Sequence, residues 1–222
     1  TTGIRNTAVG HQALNASSTG AQNTAVGYNA GSGLGAASQN TFIGHEAGYS
    51  VNIGESNVCV GYNTMYLATE SDYCVAIGRE ALAGAAMTAD HNIAIGYQAL
   101  FDATDPGNGN GNNTFVGGYA GQNITTGADN TGIGFNAGGT LTTGDYNVCL
   151  GRYAGYDQVS TGDKELWIAN DNVGAGNVKC WISGNSSGAC YQGNNGSSWS
   201  TTSDQRLKKN IVANRKGLAE IN

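Results

Sequence analysis

Three histidines and five cysteines are the side chains of this chain best suited to metal binding or nucleophilic chemistry. His11 and His45 each follow a glycine directly, where Tyr28, Tyr62 and Tyr97 follow other glycines, so they belong to a repeated exposed or interchain position rather than to a ligand set. Cys59 and Cys149 share one small-residue place between two aliphatics, and Cys74 stands where an Asn stands elsewhere. No pair of them has the spacing of a zinc site, so buried filling is the expected role. Cys180 and Cys190 could pair in an oxidising setting, but an odd number of cysteines speaks against a complete disulfide framework. The run Asp105-Pro106-Gly107-Asn108-Gly109-Asn110-Gly111 has the composition of a flexible loop and too few carboxylates for calcium. No glycine-rich phosphate loop follows an apolar strand and opens a helix. The remaining acids are scattered singly, whereas a polysaccharide-cleaving site needs two held across a cleft. No metal and no cofactor is expected.

The elements that would position such residues come from an unusual composition. Of 222 residues, 36 are Gly, 26 are Asn and one is Pro, with 39% hydrophobic and only 12% charged. Glycine without proline or a Gly-X-Y period excludes collagen, and the apolar content is too high for a chain disordered throughout. No apolar run approaches the roughly 20 residues needed to cross a bilayer. The sequence begins at Thr1 without a signal-like segment, which suggests a fragment or a processed form. Residues 1–203 carry 5 Lys+Arg against 14 Asp+Glu, a balance of −9, while residues 204–222 carry 5 against 2. So acidic a body repels phosphate backbones, which makes nucleic acid an unsuitable partner, and the change of sign marks a boundary.

An internal repeat decides the architecture. Asn, Thr or Val, a small residue, an aliphatic, Gly, two residues and Ala recur nine times, with the Gly at 10, 27, 44, 61, 78, 96, 117, 134 and 151. Directly before these glycines stand Val9, Val26, Ile43, Val60, Ile77, Ile95, Val116, Ile133 and Leu150. A β-branched run closed by Gly predicts a strand of four or five residues and a tight bend. Nine such coils stacked at about 4.8 Å give a solenoid roughly 40 Å long. A hexapeptide β-helix has nearly the same period, but no aliphatic recurs every six residues: Ser32 and Ser38 follow Val26 at those intervals.

Two further positions vary together. Four residues after the Gly stands a large residue (Leu14, Met65, Leu82, Leu100) or Gly (31, 48, 121, 138). Seven residues after it the sizes invert: Ser17, Ala68, Ala85 and Ala103 follow the large residues, and Leu34, Val51, Ile124 and Leu141 follow the glycines. Constant filled volume places both positions in one interior space. The reading is an all-β, repetitive β-solenoid, a two-stranded β-roll of about 17 residues per coil and nine coils. The strand centre (Ala8, Ala25, Phe42, Ala76, Ala94, Phe115) faces away from its aliphatic neighbours, and this second face is expected to receive another chain in a parallel homotrimer.

The repeats over residues 5–156 resemble the head repeats of trimeric autotransporter adhesins, which recur about every 14 residues in trimeric left-handed β-rolls; the longer period here lengthens one loop per coil. Similar Gly/Asn/Ala-rich repeats occur in phage tail fibres. Residues 160–202 lose the period, with β-like runs at 166–169 and 178–182. Then Ser203-Asp204-Gln205-Arg206-Leu207-Lys208-Lys209-Asn210-Ile211 closely resembles the start of the carboxy-terminal intramolecular chaperone domain of phage tail fibres and endosialidase tailspikes. That family trimerises its client and then cleaves itself off with a Ser and a Lys. The resemblance implies Ser203 as nucleophile and Lys208 as base; Leu207, Ile211, Leu218 and Ile221 fit one face of a short helix.

Three domains follow: 1–159, the β-roll array; 160–202, an irregular β-rich connector; 203–222, the start of a chaperone domain. The favoured expectation is a structural and host-receptor-binding segment of a trimeric phage tail fibre, without chemistry on outside substrates beyond one self-cleavage. A bacterial surface adhesin and a polysaccharide-degrading tailspike are the alternatives. Expected partners are two further copies of the chain, a host cell-surface glycan or outer-membrane receptor, and other tail proteins; membrane insertion is not expected. The place would be the virion tail, assembled in the host cytoplasm. The interval of 21 between Gly96 and Gly117 suggests an inserted loop within 101–112, whose Phe101, Asp102, Asn108, Asn110 and Asn112 are the candidate receptor-binding residues.

Overall fold

An amide side chain carries a donor and an acceptor on one fork, and the repeat Asn uses both to join one coil to the next. In the computed structural model, which describes residues 2–17, 19–84, 88, 90–104, 111–156, 161–169, 180–184, 187 and 190–192, these side chains form a buried ladder. The Oδ1 of Asn23 accepts the backbone N–H of Asn40 at 2.9 Å, and its Nδ2 donates to the Ala37 carbonyl at 2.8 Å. Asn40 does the same toward Asn57 and Gly54, and Asn130 toward Asn147 and Gly144. Cys74 takes one rung. Its N–H donates to Asn57 Oδ1, and its sulfur accepts the Asn92 N–H at 3.4 Å and donates to the Asp72 carbonyl.

The ladder holds nine strands in parallel register: β1 (Thr7–Val9), β2 (Thr24–Val26), β3 (Thr41–Ile43), β4 (Val58–Val60), β5 (Val75–Ile77), β6 (Ile93–Ile95), β7 (Thr114–Val116), β8 (Thr131–Ile133) and β9 (Val148–Leu150). A tenth, β10 (Leu166–Ala169), continues the parallel stack, with Trp167 opposite Cys149. It lies in the stretch read as connector. β11 (Cys180–Gly184) and β12 (Cys190–Gln192) then turn the sheet antiparallel. Their register sets Cys190 opposite Gly184, four residues from Cys180, so the two cysteines are not cross-strand partners.

The structure is a β-solenoid of about nine turns, and it corrects the sequence reading in three respects. Strands are three residues long, not four or five. Among the described residues each coil has one strand, not two. After the Gly, the second and fourth residues are left-handed in every coil, for example Gln12 at φ 57° and Leu14 at 54°, or Glu46 at 54° and Gly48 at 63°. A chain that alternates hand cannot extend into a strand, so it makes consecutive turns, and the coils on that side are joined by single backbone bonds such as Leu14 N–H to Ala30 O at 3.0 Å. Among the described residues there is no helix; the helix expected over 203–222 lies outside them.

The third correction concerns the faces of the strand. Ala25, Phe42, Cys59, Ala76, Ala94, Phe115 and Cys149, the strand centres, are fully buried inside the coils of their own chain. The aliphatic row before the Gly points outward, with Val26 37%, Ile43 41% and Ile133 47% exposed. The reason is volume. Phe42 fills the space above Gly31 and Gly48: a Cβ on Gly31 would lie 2.8 Å from its Cδ2 and one on Gly48 would lie 2.2 Å from its Cε1. Phe115 does the same for Gly121, Gly132 and Gly138. The size exchange between the fourth and seventh positions is thus an exchange among three columns, with Leu14, Leu34, Met65, Leu82, Leu100, Ile124 and Leu141 all in the one core.

Candidate binding surface

The strand-ending glycines set the outer surface because nothing larger fits there. A Cβ on Gly27 or Gly44 would sit 2.2 Å from the carbonyl oxygen of the next coil's glycine, and φ at these glycines runs from 110° at Gly151 to 144° at Gly27. The chain bends there, and the residues just beyond come to lie above one another at coil spacing. His11, Tyr28, His45 and Tyr62 stack in one column, with centroids 5.3, 4.9 and 5.1 Å apart and planes within 24° of parallel. Arg79 follows, its guanidinium 5.4 Å from the Tyr62 centroid and 5.7 Å from Tyr97. The next rings turn: Tyr97–Tyr119, Tyr119–Phe135 and Phe135–Tyr153 meet edge to face at 89°, 82° and 76°. Arg152 lies 4.8 Å from the Tyr153 centroid.

The sequence showed the first part of this column, since His and Tyr follow glycine directly there. It hid Tyr119 and Tyr153, because at Gly118-Tyr119 and Arg152-Tyr153 the ring comes one residue later. Two smaller stacks, Tyr49–Tyr66 and Tyr73–His91, lie in other rows.

Of the residues expected to meet a receptor, Phe101 and Asp102 occupy regular coil positions. Phe101 is in the row of Tyr49 and Tyr66, and the Asp102 N–H donates to the Gln122 carbonyl at 2.9 Å. Asn112 is exposed and left-handed at φ 60°, in the row just before the ladder, and its N–H donates to the Asp90 carbonyl. The regular rows therefore run through Thr104 and resume at Gly111, so the extra residues fall within 105–110, which with Asn108 and Asn110 lie outside the described residues. Ser203 and Lys208 also lie outside them.

The titratable groups hold the coils together. Asp72 and Asp90 each accept a backbone N–H of the preceding coil through Oδ1, at 2.6 and 2.8 Å, and Asp145 and Asp163 do so at 2.8 and 2.9 Å. Glu80 pairs with Arg79 at 3.0 Å and accepts from Gln98 at 2.7 Å. Burial pushes the thiols of Cys74 and Cys149 up to about 12, and that of Cys59 well above its ordinary value, so all three are protonated at neutral pH. Among the described residues no three of His, Cys, Asp and Glu gather as metal ligands would. No helix among them is long and apolar enough to cross a membrane. No protein-family model, no curated protein and no solved structure matches the chain.

Proposed function

We propose that the chain is a structural and host-receptor-binding segment of a trimeric phage tail fibre, released from a carboxy-terminal chaperone by self-cleavage. The observation that carries the reading is the outward aliphatic row. Val9, Val26, Ile43, Val60, Ile77, Ile95, Val116, Ile133 and Leu150 form one file along every coil, with Thr, Val or, at Ile93, Ile two residues before each. A strip on the order of 40 by 10 Å reaches the size of the largest apolar patches that soluble monomers expose. Two further copies aligned in parallel would cover it, rung against rung. The run from Ser203 to Ile211 supports the virion setting, and the employment of Asp72, Asp90, Asp145 and Asp163 in backbone bonding supports a role without catalysis on outside substrates.

Sedimentation of the intact chain tests this. The expected species is a trimer, and Ile43→Asp with Ile77→Asp, which places six carboxylates in the proposed interface, shifts it to monomer. A wild type that sediments as a folded monomer at micromolar concentration overturns the proposal.

A further inference from the structure

We propose that the turned-ring half of the aromatic column, Tyr97, Tyr119, Phe135 and Tyr153, is a platform for an uncharged polysaccharide lying along the solenoid axis; this rests on the receptor-binding reading and names its surface and ligand class. The two halves of the column differ in what they leave open. In the first, Tyr28 lies between His11 and His45, and His45 between Tyr28 and Tyr62, so both faces of each are covered by stacked neighbours. In the second, each of these ring–ring contacts is edge to face, and the ring that contributes its edge keeps its own faces uncovered by that neighbour; a guanidinium lies over one side of three of them, Arg79 over Tyr97 and Arg152 over Phe135 and Tyr153. Phe135 is 41% exposed and Tyr97 38%, against 44% for Tyr28 and 43% for Tyr62, so the two halves differ in how their rings are turned and not in how much of them is exposed. Sugar rings present axial C–H groups that settle on such faces, while their hydroxyls need donors and acceptors at the rim.

The rim is present. Beside the rings, Gln122 Nε2 donates to Gln98 Oε1 at 3.1 Å, and Gln98 Nε2 donates to Glu80 Oε2 at 2.7 Å, a file of amides along the same axis. Mutual ring contacts and the guanidiniums of Arg79 and Arg152 fix the side chains before any ligand arrives, so little rotamer freedom is lost on binding. A repeating ligand on repeating rungs also engages several equivalent sites at once. Charge selects the class. Arg79 is paired with Glu80, and the body around the platform carries a balance of −9, which disfavours acidic polymers.

The test is an array of bacterial polysaccharides, neutral, amino-sugar and acidic, probed with the intact chain, with Phe135→Ala, with the pair Tyr97→Ala and Tyr153→Ala, and with Tyr28→Ala. Sedimentation and circular dichroism on every variant check fold and assembly. Expected is retention of the wild type by neutral glycans, weakened about tenfold by Phe135→Ala and by the pair, and changed less than about twofold by Tyr28→Ala. Glycan binding undiminished in both platform variants overturns this proposal and leaves the receptor-binding reading standing. Retention by acidic polymers alone overturns the ligand class. No retention of the wild type by any glycan removes the platform and the glycan-receptor reading together. Dissociation of the assembly on Phe135→Ala places a second copy on these rings and overturns the platform.

Discussion

At the scale of single residues, the core works by exchanging volume across columns, and this gives a sharper mutational test than the fourth and seventh positions alone. Leu34→Ala removes a fully buried side chain and is expected to cost about 2 to 5 kcal/mol. Adding Gly31→Leu should recover little, because a Cβ there still lies 2.8 Å from Phe42 and 3.0 Å from Leu14. Phe42→Ala is expected to cost about 3 to 5 kcal/mol, and in that background Gly48→Met should recover part of the loss. The three atoms nearest a Cβ at Gly48 all belong to Phe42, and Met65 holds the same position in the next coil at φ 48°. Further destabilisation by Gly48→Met in denaturant melts would refute the shared-volume account. The thiols give a second expectation. Their pKa values are raised in the fold, so their contribution to stability is full below about 9 and declines as pH rises from 9 toward 12, where the unfolded thiol ionises first. A thiol reagent at pH 8 should leave Cys59, Cys74 and Cys149 unlabelled in the native protein and label them after unfolding; rapid native labelling contradicts their burial.

At the scale of the coil, glycine decides where the chain can bend, and the strand-ending position admits nothing else. Gly44→Ala would set a Cβ 2.2 Å from the Gly61 carbonyl oxygen, a backbone atom that cannot yield without moving the next coil. A loss of more than about 3 kcal/mol in thermal or denaturant melts is expected. Gly118→Ala, whose Cβ would meet only the Phe135 ring at 3.5 Å, should stay within about 0.5 kcal/mol. Equal tolerance of both would show that coil stacking is looser than these distances. The nine coils were legible in the sequence because this requirement writes one glycine per turn. β10 was legible as a β-like run at 166–169 but not as a further rung of the stack, because Ala169 stands where the glycine would be, although Leu166-Trp167-Ile168 repeats the strand pattern. The facing of the strand was not legible either. A period of two separates Ala25 from Val26 without saying which side is the interior, and that is decided by turns whose left-handed residues, such as Gln12, Glu46 and Gln98, carry no glycine to announce them. The candidate surface was half legible: a ring directly after glycine shows in the sequence, whereas one displaced by a residue, as at Tyr119, meets its neighbours only once the coils are stacked.

At the scale of the whole molecule, a stack of short in-register strands has little to define its starting rung. Thr7, Ala8 and Val9 pair with the identical Thr24, Ala25 and Val26, and Thr41 with the similar Val58, so neighbouring repeats are nearly interchangeable during folding. In the proposed trimer, three such chains would also have to choose a common register before their outer rows could meet. A carboxy-terminal domain that trimerises first would fix that register, and its later removal would make the assembly irreversible. This is the part the proposed chaperone would play, and its release is expected by cleavage of the peptide bond next to Ser203. In the proposed pair, the Ser203 hydroxyl would become a nucleophile by giving its proton to Lys208, which requires a lysine held neutral by burial or neighbouring positive charge. If assembly of the proposed trimer supplies that environment, cleavage should follow trimerisation and not precede it. Expressed at its full natural length, the protein should appear on a denaturing gel as two fragments. Ser203→Ala and Lys208→Ala should each leave one uncut chain, and Ile43→Asp with Ile77→Asp should leave cleavage intact if the chaperone alone drives assembly. A single wild-type band rejects self-cleavage, and cutting in both active-residue variants rejects the pair assigned to it. Loss of cleavage in the outer-row variant would mean that the solenoid, and not the domain behind it, sets the register of the three chains.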